Sequence, residues 1–425
     1  MLNTVIELLK SSGATAWEVT DTKRRGWEFY YIRHRLDQNR ATQVESISVK
    51  VYMAFGDGKF LGSASAEIPP TATRAEAERT IAELCARAVY VQNPAYALRR
   101  PDGEAPDALS EVDVAANARA YLETMSRLPE TATEDINSYE IFTGCVERRF
   151  VSSEGVDVTT RFPDSKLEVV VNAREGEREI ELYRMYEGGS CDEGAIHADL
   201  AETFRFGRDK LIAGKTPNLG TCAVVFSTRA AQRLYQLLAS RVSAQMRYQR
   251  VSDWAEGKEI AQGGGDRVTL RAAQCLPNSS RNSLYDAEGA RVRDLTLIDR
   301  GVVKANWGNA QFSAYLGLEG TFMPGNWVAE GGTHTEEELR QGDFLEPVEF
   351  SDFQVNSITG DMAGEIRLGY WHHGGEVTVV SGGSVSGCLP QLLGEMRFSA
   401  AQKQYNNWLI PSVTRIEGAS VTGAQ

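Results

Sequence analysis

The chain has 425 residues, with 58 Asp and Glu against 45 Lys and Arg and a net charge of -13. A chain this long exceeds what one growing core serves, so two or three domains are expected, and the negative balance disfavours a phosphate backbone as partner. No stretch of 18 apolar residues occurs, which excludes a membrane-spanning helix.

Met1 to Lys10 places Val5, Ile6, Leu8 and Leu9 on an amphipathic first helix without the apolar core and small-residue cleavage site of a signal peptide, so a cytoplasmic protein is expected. Strand-like runs follow at Trp27 to Arg35, Ile47 to Phe55 and Phe60 to Glu67; the last two form a hairpin around Gly56-Asp57-Gly58. Pro69-Pro70 ends it. Thr73 and Glu76 then make a capping box for a helix through Val89 that aligns Ala77, Ile81, Leu84 and Ala88 on one face. Asn93 to Leu109 is rich in Pro, Ala, Asp and Gly and reads as a linker or surface crossover.

A helix from Asp113 to Leu128 opens the middle region. Strands at Ile136 to Phe150, Val156 to Phe162, Lys166 to Ala173 and Glu179 to Tyr186 give an antiparallel meander with turns at Ser153-Glu154-Gly155 and Arg174 to Glu177. A helix from His197 to Leu211 leads out, and Gly214 to Gly220 connects onward. The last region starts with a strand at Cys222 to Phe226 and a helix from Thr228 to about Met246, on which Leu234, Leu237, Leu238 and Val242 share a face. From Val268 on, short strands alternate with Gly-rich turns, among them Gly263-Gly264-Gly265 as a flexible turn, with helices at Asn309 to Leu316 and Thr335 to Gln341. The fold class is α+β: an N-terminal α/β domain (1–110), a middle helix plus antiparallel β region (111–215), and a large mainly-β C-terminal domain with a few helices (216–425).

Charge and cysteine patterns add little chemistry. Lys23-Arg24-Arg25, Arg148-Arg149 and Arg247 with Arg250 are short groups suited to solvated faces or salt bridges. The six cysteines contain no C-x-x-C pair, and most read as small buried hydrophobes. Cys191, Asp192, Glu193 and His197 cluster along the chain, but the glycines around them form a loop, and one histidine with loose carboxylates reads as surface or capping residues. His372 and His373 end a strand; their side chains face opposite sides, so only one can line a given pocket. No G-x-S-x-G elbow and no phosphate-binding loop is present.

Asp286-Ala287-Glu288-Gly289, Leu297 to Lys304, Thr359-Gly360-Asp361 and Ile416 to Gly423 occur in that order. The paired carboxylates Asp286 and Glu288 are of a type that can act as acid and base, but Gly289 favours a turn in which they accept hydrogen bonds. Asn356 and Thr359 to Asp361 likewise read as tight-turn architecture. Gly320 to Gly332 sets Phe322, Asn326 and Trp327 among glycines, a segment able to grip an extended peptide through aromatic surface and backbone groups, although Trp327 reads nearly as well as a plain core aromatic.

This order of motifs resembles the TldD/PmbA family, once described as modulators of DNA gyrase. The resemblance is specific between Asp286 and Gly423 and looser toward the N-terminus. The family pairs a zinc-binding catalytic subunit, TldD, with a TldE/PmbA-like partner that lacks the metal site. In catalytic members a helix bears His-Glu-x-x-x-His, a late cysteine completes the site, and both imidazoles must share one helical face. The matching helix here is Thr228 to Met246, which sets Tyr235, Gln236 and Ser240 at those positions, and no cysteine follows Cys388. The chain therefore resembles the non-catalytic partner, a component of a metallopeptidase that degrades or processes small unfolded peptides. The resemblance implies no catalytic residue, metal or cofactor in this chain and zinc in the partner. It implies a TldD-like catalytic subunit as heterodimer partner, or a second copy as homodimer, a peptide substrate, and neither nucleic acid nor membrane. Peptide-binding or cavity roles fall to Phe322, Asn326, Trp327, Asp286 and Glu288. The rival expectation is a homodimeric peptide-binding or scaffold protein without catalysis; a third is an independent metallohydrolase built on Glu193, His197 and the late histidines.

Overall fold

The computed structural model describes residues 1–103, 113–128 and 131–424. The part of the expected linker at 104–109, and the expected domain boundary at 110/111, lie outside the described residues.

Helix α1 (Leu2–Ser11) leads into three long strands, β1 (Ala16–Ile32), β2 (Arg35–Phe55) and β3 (Phe60–Ile68). Helix α2 (Arg74–Ala88) opens on the expected capping box of Thr73 and Glu76 and buries Ala77, Ile81, Leu84 and Ala88. Asp113 caps α3 (Val114–Ser126), after which β4 (Glu134–Ser152), β5 (Asp157–Glu175) and β6 (Arg178–Gly188) precede α4 (Glu193–Ile212). The N-terminal strands and the meander form one antiparallel sheet in the order β3-β2-β1-β4-β5-β6, because β1 pairs with β4 along nearly its whole length.

Several expected boundaries change, and β2 starts at Arg35 rather than Ile47 because it pairs with β1 to the tip of the arm. β1 starts at Ala16 rather than Trp27, its first half being buried under the helices. Pro163 does not split β5: it pairs with Cys145 on β4, while β6 joins β5 only from Ser165, so the missing N–H of proline lies on a free edge. α4 begins at Glu193, because Asp192 caps it through Ala195 N.

Both helical pairs pack on one face of this sheet. Val5, Leu9, Ile81 and Leu84 cover Val19, Val49 and Val51; Tyr121, Met125, Ile196 and Leu200 cover Ile141, Leu167 and Val169. Burial of each such side chain contributes roughly 1.5–3 kcal/mol against chain entropy, so these stripes fix the helices to the sheet.

The remainder contains β7 (Gly214–Lys215), β8 (Gly220–Phe226), α5 (Gln232–Arg241), α6 (Ala244–Tyr248), β9 (Leu270–Ala273), β10 (Leu295–Asp299), β11 (Val302–Val303) and α7 (Ala310–Tyr315). β12 (Asn326–Ala329), α8 (Glu336–Leu339), β13 (Phe344–Val355), β14 (Asp361–His373), β15 (Glu376–Ser381) and β16 (Ser384–Cys388) follow. The chain ends with α9 (Leu389–Leu392), β17 (Met396–Phe398), β18 (Gln402–Tyr405), β19 (Trp408–Pro411) and β20 (Thr414–Thr422). One sheet runs β11-β10-β9-β12-β19-β18. In the other, β13-β8-β20-β16-β14 closes on itself because β14 also pairs with β13, and β15 and β7 extend from β14. Closure removes free edges from this barrel, and α5 packs Leu234, Leu237 and Leu238 into the main core beside it. The fold class is the expected α+β.

The expected Thr228–Met246 helix is two helices. Asn306 Nδ2 donates to Val242 O at 2.8 Å, and Ala244 N donates to Trp307 O at 2.8 Å, so a distant segment captures the groups that would continue the helix. Gly263 and Gly265 are likewise no flexible turn. A Cβ at Gly263 would stand 2.5 Å from Gly394 O and one at Gly265 2.4 Å from Met396 O, a close backbone approach that glycine alone permits. Of the cysteines, only Cys145 is buried; four are half-buried and Cys275 is exposed, all as free thiols.

Candidate functional site

Helix α5 holds the positions matched to the metal-binding helix. Tyr235 is fully buried; its hydroxyl lies 2.7 Å from Thr414 Oγ1 on β20, its ring packs beside Phe398, and burial pushes its phenol well above the ordinary range. Gln236 is half-buried and its Oε1 accepts from Arg233 Nη1 at 3.1 Å. A buried phenol, a neutral amide and a serine hydroxyl supply neither the imidazole nor the carboxylate or thiolate donors zinc takes, so these residues do not fit the metal. The Cys388 thiol sits at the β16–α9 junction.

The histidines are dispersed. His197 Nε2 lies 2.9 Å from Thr124 O, and Glu193 pairs with Arg127, placing both in the α3–α4 contact. His334 is 3.4 Å from Asp266, His373 pairs with Asp343 at 2.7 Å, and His372 stacks on Phe344. Burial lowers the His372 pKa, and His372 but not His373 lines the cavity beside Arg340 and Tyr370, as strand alternation requires. Among the described residues, no three His, Cys, Asp or Glu side chains gather so as to hold a metal.

The Asp286 segment is a clasp. Asp286 is 5% exposed; its Oδ1 accepts from Glu288 N and Ala290 N and its Oδ2 from Met323 N, each at 2.9 Å. Gly289 completes the turn at φ 79°. Burial raises the Asp286 pKa, and the three amides oppose that rise. Glu288 points elsewhere: its Oε2 accepts from Ala310 N at the start of α7 at 2.7 Å and lies 3.6 Å from Arg99. The two carboxylates thus serve separate partners. Arg148 of β4 donates to Asp286 O at 3.1 Å, so the clasp sits where the N-terminal sheet meets the rest; within that sheet Tyr52 donates to Glu18 Oε2 at 2.7 Å. Burial raises the pKa values of Glu18 and Glu288 as well.

Phe322 and Asn326 are fully buried and Trp327 is 7% exposed. Asn326 accepts from Ser279 Oγ at 2.6 Å and donates to Gln274 O at 3.1 Å. Trp327 stacks on Trp408 at 5.3 Å and meets Trp307 edge-on at 5.7 Å. In this chain these three side chains are core, and any surface they offer runs through their neighbours and backbone.

Two cavities escaped the sequence reading. One of about 500 Å³ lies between α4, α8 and β13–β15, lined by Arg205, Arg340, Glu346, Tyr370, His372 and Lys403 among others. One of about 390 Å³ lies under the β1–β2 arm near Ser280. Each draws on several distant segments, so no local motif marks either. Thr359-Gly360-Asp361 forms the β13–β14 turn: Asn356 Oδ1 accepts from Ile358 N and Thr359 N, and Gly360 adopts φ 85°.

Residues 219–423 match the profile of the PmbA/TldA metallopeptidase C-terminal domain. Over these residues the chain carries a domain of the TldD/PmbA family. Its fold is that of TldE from Thermococcus kodakarensis, with a TM-score of 0.77 at 16% identity over 100% of both chains. A Thermotoga maritima protein provisionally labelled a modulator of a DNA gyrase superposes with a TM-score of 0.78 at 16% identity over 99% of each chain. A Bacteroides thetaiotaomicron protein with a similar label gives 0.79 at 20% identity, over 99% of this chain and 98% of the other. No curated protein matches the sequence.

Proposed function

We propose that this chain is the metal-free, TldE-like subunit of a two-chain zinc metallopeptidase that acts on small unfolded peptides in the cytoplasm. The observation that carries the reading is α5, where the metal-helix positions hold a fully buried Tyr235 bonded to Thr414, with Gln236 and Ser240 beside it. Zinc and the general base belong to a TldD-like partner bearing His-Glu-x-x-x-His. This chain supplies cavity wall and strand edges, with the Asp286 clasp and the Trp327–Trp408 stack holding that wall rigid. Neither a nucleic acid nor a membrane enters the reaction.

The test is reconstitution. The purified chain is mixed with a His-Glu-x-x-x-His chain from the same genome and assayed on unstructured peptides. Activity from the pair that neither chain has alone is expected; unchanged activity on mixing, with the chain sedimenting only as a self-dimer, refutes the reading in favour of a scaffold.

A further inference from the structure

We propose that the outer edge of β2, from Gln38 to Ser46, is a β-addition site for an extended peptide of alternating apolar and acidic residues. This site shares no residue with the α5 positions or the Asp286 clasp and does not depend on the peptidase reading.

β1 pairs with β2 as far as the arm's tip, but β3 covers only Ile47–Phe55 on β2's other side. Ala54 N donates to Thr15 Oγ1, and Tyr52 O accepts from Thr15 N, both toward β1. The β2 register is unbroken from Gln38 to Phe55, so even-numbered peptide groups turn to β1 and odd-numbered ones turn away. Asn39, Ala41, Gln43 and Glu45 therefore aim their N–H and C=O groups outward, without a partner among the described residues.

Sheet proteins blunt such edges with proline, bulges or dense charge. The bulge of this arm lies at its tip beside Asp37. From Gln38 to Ser46 there is no proline, and the charges are one Arg40 and one Glu45. An edge left open in this way is a template for another strand.

Charge selects the occupant. Residues 23–45 hold six Lys and Arg against three Asp and Glu, a net +3 in a chain of -13. Arg33 and Arg35 at the tip have no ion pair among the described residues, which leaves them for acidic side chains of an added strand. Every second side chain of that strand would point toward the cavity of about 390 Å³, where Val44 and Phe142 offer apolar surface and Arg24 is already paired with Asp164 at 2.7 Å. Val44 is 58% exposed, so covering it adds apolar burial.

The test uses the full chain alone with two fluorescein-labelled octapeptides, alternating Glu-Val and alternating Lys-Val, read by fluorescence anisotropy. The Glu-Val peptide should bind about tenfold more tightly or better, and less well in high salt. Gln43→Pro and Ala41→Pro each remove one outward N–H while leaving the β1 ladder whole, and should abolish binding; Gln43→Ala should bind as wild type, because the contact is main-chain. Hydrogen exchange on the unmodified chain provides a readout that needs no variant: the 39–45 segment should gain protection on adding the Glu-Val peptide. Absence of Glu-Val binding, a preference for Lys-Val, retained binding in a folded Gln43→Pro, unchanged exchange, or self-dimerisation through this edge overturns the proposal.

Discussion

Replacing Asp286 tests whether the most conspicuous carboxylate of the chain is a clasp or a reagent. The carboxylate accepts three backbone amides, from Glu288, Ala290 and Met323, each at 2.9 Å, in a residue 5% exposed. Asp286→Ala strands three buried donors at about 1–3 kcal/mol each, partly offset because a buried carboxylate no longer has to be desolvated. A net loss of about 4 kcal/mol follows. Asp286→Asn keeps one carbonyl oxygen for Glu288 and Ala290 but turns an NH2 toward the Met323 amide, donor against donor, at a cost of about 2 kcal/mol. Hydrogen exchange resolved to peptides reads the effect locally, which suits a chain too large to unfold in one step. The segments containing Ala290 and Met323 should exchange about a thousandfold faster in the alanine variant and roughly thirtyfold faster in the asparagine variant, while the helices on the N-terminal sheet keep their protection. Unaltered exchange in Asp286→Ala would refute the clasp and free this carboxylate for chemistry.

Two further predictions rest on burial. Glu18 lies among Tyr52, Lys50, Tyr96 and Glu288, and burial raises its pKa, so the folded state holds this proton more tightly than the unfolded chain does. Stability tied to it is complete below the unfolded carboxylate range and is lost as pH rises through the folded value. Glu18→Gln should therefore melt above wild type near about pH 7.5 and converge with it near about pH 4, as thermal scans across that range would show; a constant offset would contradict the linkage. Trp327→Ala removes a 7%-exposed ring stacked on Trp408 and should lower local stability by about 3–5 kcal/mol, read as faster hydrogen exchange in the segments that hold Trp327 and Trp408, whereas unchanged exchange with lost peptide binding would place Trp327 at a surface.

Features whose cause is short in sequence were legible from it. The capping box at Thr73–Glu76 forms as read, because donor and acceptor lie three residues apart, and the helix expected from Thr335 opens on a second box, with Glu338, that the structure adds. Within the segment singled out from Leu297 to Lys304, the structure places a turn at Arg300-Gly301, with φ 45° and 77°, that closes β10 on β11. The candidate residues were legible as a cluster but not as to exposure. Phe322, Asn326 and Trp327 sit among glycines in the sequence, yet β9, β19 and the 276–282 loop close over them.

By itself the sequence determined the α+β class, most of the helices, the Thr73–Glu76 capping box, and the family order of turn motifs, since each depends on periodicity or on contacts within one turn of chain. Only the tertiary structure decided that the helix after Thr228 breaks at Ser243, that Pro163 stays inside a strand, and that β1 joins the N-terminal hairpin to the meander in one sheet. The physical reason is common to all three: the groups that compete for each backbone N–H and C=O come from residues far along the chain, such as Asn306 for Val242, and no local pattern reports which of them will arrive.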